Sequence, residues 1–109
     1  MILFQLHFEV ADDKRAEFEK TYTTVFEPAL RKQKGFQNVK LLRFYADDQA
    51  KQIEASPTEL NYQINFVFDS EASRRVWSKS PEHDVAWPTL SGLTKQALWR
   101  GYDLVASTN

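Results

Sequence analysis

The sequence predicts one α+β domain in which an antiparallel β-sheet carries helices on one face. Residues 2–10 and 60–69 alternate between apolar and polar side chains, as strands with one buried face do. After each of these strands, apolar residues recur at steps of three and four, which is typical of amphipathic helices. The chain has 109 residues, which is enough for one hydrophobic core and too few for two. We therefore expect residues 1–109 to form a single domain.

The first strand and the first helix have the clearest patterns. Residues 2–10 alternate throughout and leave one fully apolar face. Asp12 or Asp13 can then accept hydrogen bonds from the first helical N–H groups. Pro28 is expected to kink the last turns of this helix, and Gly35 is expected to end it. The apolar stripe of the helix consists of Phe18, Tyr22, Val25, Phe26, Ala29 and Leu30.

Three further strands follow. Residues 36–45 predict a second strand, although its alternation is less regular. The polar residues 46–59 predict a long hairpin connection to the third strand at residues 60–69. Residues 99–106 predict the last strand, with Tyr102 on the face opposite to that of Trp99.

Between the third and fourth strands, the sequence predicts a helix in pieces. Ser70 is expected to cap a short helix that contains Trp77. Ser80 is expected to cap the next helix, because Pro81 is favoured at a first helical position. Pro88 is expected to start a further segment.

The element order is β-α-β-β-α-β with a broken second helix, which predicts the ferredoxin-like arrangement. In that arrangement the first strand lies between the third and the fourth, and the helices cover one sheet face. The other face is expected to carry Leu3, Val39, Leu41, Val67, Trp99 and Val105, mixed with Gln5, His7, Gln63, Asn65 and Asp103.

A sheet face this apolar is expected to be covered by a second copy of the chain. Burying roughly 600 Å² of apolar surface per chain would contribute on the order of 15 kcal/mol before the costs of association. We therefore expect a homodimer in which two sheets pack face to face. On this interpretation, His7 is a polar group in the dimer interface. The alternative is that His7 is a base oriented by a nearby Asp.

The composition excludes several classes of function. The chain has no Cys, two His and three scattered Gly, so a disulfide framework, a thiolate site, a three-His metal site and a glycine-rich phosphate loop are excluded. Lys and Arg number 14 against 15 Asp and Glu, which gives no electrostatic footprint for nucleic acid or an acidic membrane. We expect no cofactor, no membrane segment and a cytoplasmic location.

Several motifs resemble those of a known family. Gly35-Phe36 follows the first helix, Phe68-Asp69-Ser70 ends the third strand, and Trp77-Ser78-Lys79-Ser80-Pro81-Glu82-His83 joins the two later helical pieces. With the element order, they resemble the antibiotic biosynthesis monooxygenase superfamily of dimeric α+β barrels. The resemblance covers nearly the whole chain, and the segment from Ser70 to His83 is its most specific part.

The resemblance implies a pocket between the sheet and the helices of each chain. Some relatives are cofactor-free monooxygenases of aromatic or quinol-type substrates, others degrade haem, and others have different or no established activities. A Trp that corresponds to Trp77 lines the pocket in the oxygenases and the haem degraders. The haem degraders use a His ten residues later, where this chain has Trp87, so haem binding is disfavoured.

The candidate site residues are those expected to face this pocket. His83 is a candidate base at a helix N-terminus, and Arg100 a candidate for stabilising an oxyanion. The alternatives are a structural His83 and an Arg100 that reaches solvent at the sheet edge. Candidate substrate-binding residues, each of which could instead be a packing residue, are Trp77, Tyr22, Tyr62, Tyr102 and Asn38.

Two functional hypotheses remain open. The first is a cofactor-independent monooxygenase that oxidises a small aromatic or quinol-type substrate with O₂. The second is a non-catalytic or stress-related dimeric module that binds a small apolar ligand or none. An open cavity between helices and sheet would favour ligand binding, whereas a space filled by Trp77, Trp87 and the Phe side chains would not.

Overall fold

The computed structural model describes residues 1–108 and contains one four-stranded antiparallel sheet. Its strands are β1 (Ile2–Glu9), β2 (Phe36–Arg43), β3 (Tyr62–Phe68) and β4 (Gln96–Asp103), in the order β2-β3-β1-β4. The α+β ferredoxin-like fold is therefore confirmed, with β1 between β3 and β4 as predicted. β4 begins and ends three residues earlier than the sequence pattern predicts.

The first helical region is continuous but irregular. A 3₁₀ turn (Asp12–Lys14) leads into α1 (Arg15–Thr21), a π-helical turn (Tyr22–Phe26) and α2 (Glu27–Arg31). The predicted cap is wrong, because Ala11 is the N-cap and no side chain caps the turn.

The irregularity expected at Pro28 lies in the turn before it. Pro28 occupies the first turn of α2, where its missing N–H costs least. The hydroxyls of Thr23 and Thr24 donate to the carbonyls of Glu19 and Lys20. The prediction that Gly35 ends the helix is wrong, because α2 ends at Arg31 with Lys32 as its C-cap. Gly35 lies in the turn before β2 with φ +88°, a conformation that favours glycine.

Three further helices complete the chain. Residues 46–59, predicted to be a loop, include the short helix α3 (Asp47–Gln52), which buries no side chain. Ser70 caps α4 (Glu71–Ser78) and Ser80 caps α5 (Pro81–Ser91), as predicted. The expectation that Pro88 starts a new segment is wrong. Pro88 lies inside α5, between the buried residues Ala86 and Leu90.

The core lies between the helices and the Phe-rich sheet face, as predicted. Phe8 packs edge-on against Phe18 of α1 at 5.2 Å between ring centroids. Phe66 and Phe68 pack edge-on at 5.7 Å. The largest fully buried side chains are Tyr62, Phe8, Phe18, Phe26, Phe66, Phe68, Leu30, Ile64, Leu90 and Val10.

The predicted face of β2 is wrong beyond its first residue. Phe36 pairs with Phe68, but Asn38 pairs with Val67, so Gln37 is an extra residue in a β-bulge. The bulge reverses the alternation. Val39 and Leu41 therefore pack towards the helices, and Asn38 lies on the open face instead of the pocket side.

The predicted faces of β4 are also reversed. Trp99 pairs with Leu6 of the core face, whereas Arg100 pairs with Gln5 and Tyr102 with Leu3. Paired residues of antiparallel strands share a face. Trp99 therefore lies on the helix side, with Asp103, and Arg100 and Tyr102 lie on the open face. Val105 lies beyond the end of β4.

The open face is accordingly more polar than predicted. Leu42, Leu98 and Tyr102 are its exposed apolar side chains, at 41–52% exposure. Leu3 and Val67 lie on this face as predicted. Its polar residues, fixed by the strand register, are Gln5, His7, Glu9, Asn38, Lys40, Gln63, Asn65, Gln96 and Arg100.

Candidate functional site

An open cavity of about 210 Å³ lies between the sheet and the helices. The aromatic side chains that could have filled this space stand around it instead. This outcome favours the ligand-binding hypotheses over a closed core. The cavity is lined by Phe4, Leu6, Phe26, Phe66, Arg74, Trp77, Ser78, His83, Trp87 and Trp99.

Helical spacing brings the lining residues of α4 and α5 together. Arg74 and Trp77 are three residues apart, and His83 and Trp87 four apart, so each pair shares a helix face. The buried Ser80 joins the two helices. Its hydroxyl donates to the Trp77 carbonyl at 2.7 Å and accepts from the His83 N–H at 3.1 Å. The relative position of Trp77 and His83 therefore depends on one capping serine.

The rings around the cavity form a continuous series of contacts. Trp77 lies edge-on to His83 at 4.9 Å, and His83 stacks on Trp87 at 6.3 Å with an interplanar angle of 13°. Trp87 lies edge-on to Trp99 of β4 at 5.9 Å. Trp99 is 60% exposed, so it stands where the cavity opens to solvent. Such walls suit a flat ring, which can stack on indole faces.

His83 supplies a neutral imidazole to the cavity. Burial lowers the pKa of His83 below 6.5, and the positive charge of Arg74 lowers it further, while Asp84 acts in the opposite direction. At neutral pH the ring is therefore uncharged and can accept a proton.

Arg74 is held rigidly beside the cavity. Its Nε lies 2.9 and 3.0 Å from the two carboxylate oxygens of Glu71, and its Nη2 also donates to Glu71. The guanidinium carbon lies 4.7 Å from the centroid of the Phe4 ring, which is a cation–π arrangement. The charged group is thus fixed by an acid on one side and an aromatic ring on the other.

Two of the predicted site residues, Trp77 and His83, line the cavity. Tyr22 and Tyr62 are buried on the helix side but do not line it. The hydroxyl of Tyr62 donates to Glu19 instead. Burial raises the pKa values of both tyrosines to about 12, which excludes them as bases at neutral pH.

The other predicted residues, Arg100, Tyr102 and Asn38, lie on the far side of the sheet from the cavity. The expectation that they face the pocket is wrong, because it depended on the reversed alternation of β2 and β4. The lining residues that the sequence interpretation missed include Arg74, Trp87 and Trp99. Helical spacing from Trp77 and His83 could have indicated the first two.

No other chemistry stands out in residues 1–108. They contain no group of three or more His, Cys, Asp or Glu side chains that could hold a metal ion. None of their helices is both long and apolar enough to cross a membrane.

Fold and cavity together define a ferredoxin-like chain with an aromatic pocket between sheet and helices. No protein-family model matches the sequence, and neither does any curated protein. Solved structures do match. SnoaB, a cofactor-independent oxygenase from Streptomyces nogalater, superposes with a TM-score of 0.76 at 19% identity over 97% of this chain and 94% of SnoaB.

Two further structures bear on the fold. A protein from Nitrosomonas europaea, provisionally assigned as an antibiotic biosynthesis monooxygenase, gives a TM-score of 0.72 at 12% identity over 97% of this chain and all of that one. A dimeric ferredoxin-like protein of unknown function from Thermobifida fusca gives 0.70 at 14% identity over 94% and 90% of the two chains. The resemblance to the antibiotic biosynthesis monooxygenases is thus confirmed at the level of the fold.

Proposed function

We propose that this chain is a cofactor-independent monooxygenase that oxidises a small phenol- or quinol-type substrate with O₂. The observation that carries the proposal is an open aromatic cavity that holds one neutral imidazole and one fixed guanidinium. The shared fold of SnoaB, a cofactor-independent oxygenase, supports it.

The substrate itself supplies the electrons in this reaction. Removal of a proton from the phenol gives an anion with carbanion character at a ring carbon. That carbon donates electrons to O₂ and forms a C–O bond, which gives a hydroperoxide after protonation. Loss of water then leaves a carbonyl, so one oxygen atom enters the product and the other leaves as water. The net change of C–H₂ to C=O in the keto tautomer balances the four electrons that O₂ accepts.

The cavity residues have distinct parts in this scheme. His83 accepts the phenolic proton, which requires the neutral ring that burial favours. Trp77 and Trp87 stack on the substrate and exclude water, which strengthens electrostatic interactions with the anion. A volume of about 210 Å³ fits one or two rings, since a cavity of ~150 Å³ holds benzene.

We also propose that the functional unit is a homodimer formed through the open sheet face. Leu98 and Tyr102 expose apolar surface there, and the ferredoxin-like protein from Thermobifida fusca is dimeric. The dimer would bury His7 further. Partial burial and the positive charge of Arg100 already lower the pKa of His7. A neutral His7 suits such an interface better than a charged one. A cytoplasmic location remains part of the proposal.

The second candidate function is a non-catalytic binding module. It is favoured by the cavity volume of about 210 Å³, which lies below the ~300–1,000 Å³ of common ligand sites and leaves little room for O₂ beside a ligand of one or two rings.

Oxygen uptake with a panel of quinols, naphthols and anthrones distinguishes the two candidates. The enzyme hypothesis predicts substrate-dependent uptake that His83→Gln lowers by about 10²-fold or more. The control is Val85→Ala, on the exposed side of the same helix, which should leave uptake unchanged. In addition, the acid limb of kcat/KM should have its midpoint below pH 6.5, the ordinary histidine pKa. Binding without uptake across the panel would refute the enzyme proposal and leave the binding module.

A further inference from the structure

The charge distribution around the cavity is one-sided. Arg74 is the charged side chain of the lining at neutral pH, and none of the lining residues described is Asp or Glu. Ser78 and the neutral His83 are the other side chains with hydrogen-bonding groups apart from the indoles. The rest of the wall is aromatic or aliphatic and therefore has a low dielectric constant, in which a single fixed charge acts strongly.

The guanidinium of Arg74 keeps donors for a further partner. Its hydrogen bonds to Glu71 use Nε and Nη2, and Nη1 takes part in none of them. A guanidinium carries five N–H donors in a planar fork, so the N–H groups on Nη1 remain for a ligand. The side chain is 17% exposed, which places this donor pair at a partly desolvated position.

Glu71 does not cancel the charge of Arg74, because it is shared. Arg75 also contacts the Glu71 carboxylate, at 3.4 Å. Two guanidinium groups and one carboxylate leave the cluster with one positive charge. Both arginines lower the pKa of Glu71, so its carboxylate is ionised at neutral pH and contributes one negative charge to the cluster.

Resting on the proposed function, we propose that the cavity selects anionic aromatic ligands and that Arg74 is the residue that determines this specificity. The ligand places its ring between the indoles and its carboxylate or phenolate against Nη1 of Arg74. Phe4 and Glu71 hold the guanidinium in place before the ligand arrives, so little conformational entropy is lost on binding.

The test uses two ligands of the same shape, 4-nitrobenzoate and 4-nitrobenzamide. All three Trp of the chain line the cavity, so quenching of their fluorescence by the nitroaromatic ring reports on this site. We expect wild-type protein to bind the carboxylate at least about tenfold more tightly than the amide at neutral pH, as a charge-assisted hydrogen bond in a partly dry site implies. Equal affinities, tighter binding of the amide, or no quenching by either ligand would overturn the proposal.

Variants locate the effect. Arg74→Gln should reduce the preference to about twofold or less and leave the affinity for the amide unchanged, whereas Arg74→Lys should keep part of it. The matched control is Lys79→Gln, which removes an exposed positive charge at the C-cap of α4, outside the Glu71 cluster, and should keep the full preference. Loss of the preference in the control would mean general surface attraction and overturn the proposal. The wild-type comparison decides the question even if Arg74→Gln fails to fold.

The outcome is separable from that of the oxygenase proposal. A strong preference for the carboxylate without oxygen uptake would refute the oxygenase and leave Arg74 as the specificity residue. Oxygen uptake that is equally fast with matched anionic and neutral substrates, together with equal binding of the two nitroaromatics, would refute the role of Arg74 and leave the oxygenase proposal standing.

Discussion

Replacing Gly35 by Ala should lower the free energy of unfolding by about 2–4 kcal/mol. Gly35 has φ +88°, and a side chain forced into that region costs about 1–3 kcal/mol. The added Cβ would also stand 2.5 Å from Oδ1 of Asp69 and 2.7 Å from Oγ of Ser73. Because Ser73 donates to Asp69, moving that carboxylate would sacrifice a hydrogen bond worth about 1 kcal/mol.

The assay is urea unfolding followed by tryptophan fluorescence. Gly101→Ala is the matched control, because its Cβ would meet Phe4 at an ordinary 3.5 Å. We expect this control to unfold within about 1 kcal/mol of wild type, or later, since glycine weakens a strand. Gly35→Asn separates the two causes, since Asn tolerates positive φ but carries the same Cβ.

A Gly35→Ala protein within about 0.5 kcal/mol of wild type would refute this reasoning. It would mean that the turn between α2 and β2 relaxes freely and does not press on the start of α4. Equal losses for Ala and Asn would assign the cost to the contact with Asp69, and a milder loss for Asn would assign it to the backbone.

Three more predictions concern single side chains. The pKa of His83 is lowered in the folded chain, so the unfolded chain binds more protons below pH 6.5 and His83 makes stability fall as the pH drops through that value. His83→Gln should therefore make the midpoint of urea unfolding depend less on pH between about pH 8 and about pH 5. Tyr62→Phe should cost about 1–2 kcal/mol in urea, because the carboxylate of Glu19 loses the hydroxyl that donates to it, whereas Tyr45→Phe at an exposed tyrosine should cost nothing measurable. Leu98→Glu should convert the proposed dimer to monomers in light scattering, whereas Val76→Glu, at an exposed position of α4, should not. A monomeric wild type would contradict the dimer proposal.

The order of elements could be predicted because each buried face has a strong period. β1 and β3 alternate over their whole length, and their face towards the helices is as predicted. The caps Ser70 and Ser80 were also predictable from local sequence, since the hydroxyl of a Ser that precedes a helical stripe accepts hydrogen bonds from the free N–H groups of the first turn. The helix α3 has no buried side chain, so no apolar stripe announces it.

The site was harder to predict because it depends on register. One extra residue, Gln37, reverses the faces of β2, and neither composition nor alternation marks its position. In β4 both faces carry apolar side chains, with Trp99 on one and Leu98 and Tyr102 on the other, so hydrophobicity does not choose between them. Only pairing with β1 decides the question, and Arg100 was therefore assigned to the wrong side of the sheet.

The π-helical turn Tyr22–Phe26 has a consequence for comparing this chain with other sequences. Such a turn contains one residue more than the α-helical turn that would span the same rise. Matching this helix to a straight one therefore requires a gap of one residue within the turn. An ungapped match would put Phe26, which lines the cavity, opposite a residue from the wrong side of the other helix. Because the π-helical turn and the bulge at Gln37 each shift the alignment by one residue, structural superposition detects relatives of this chain better than sequence identity does.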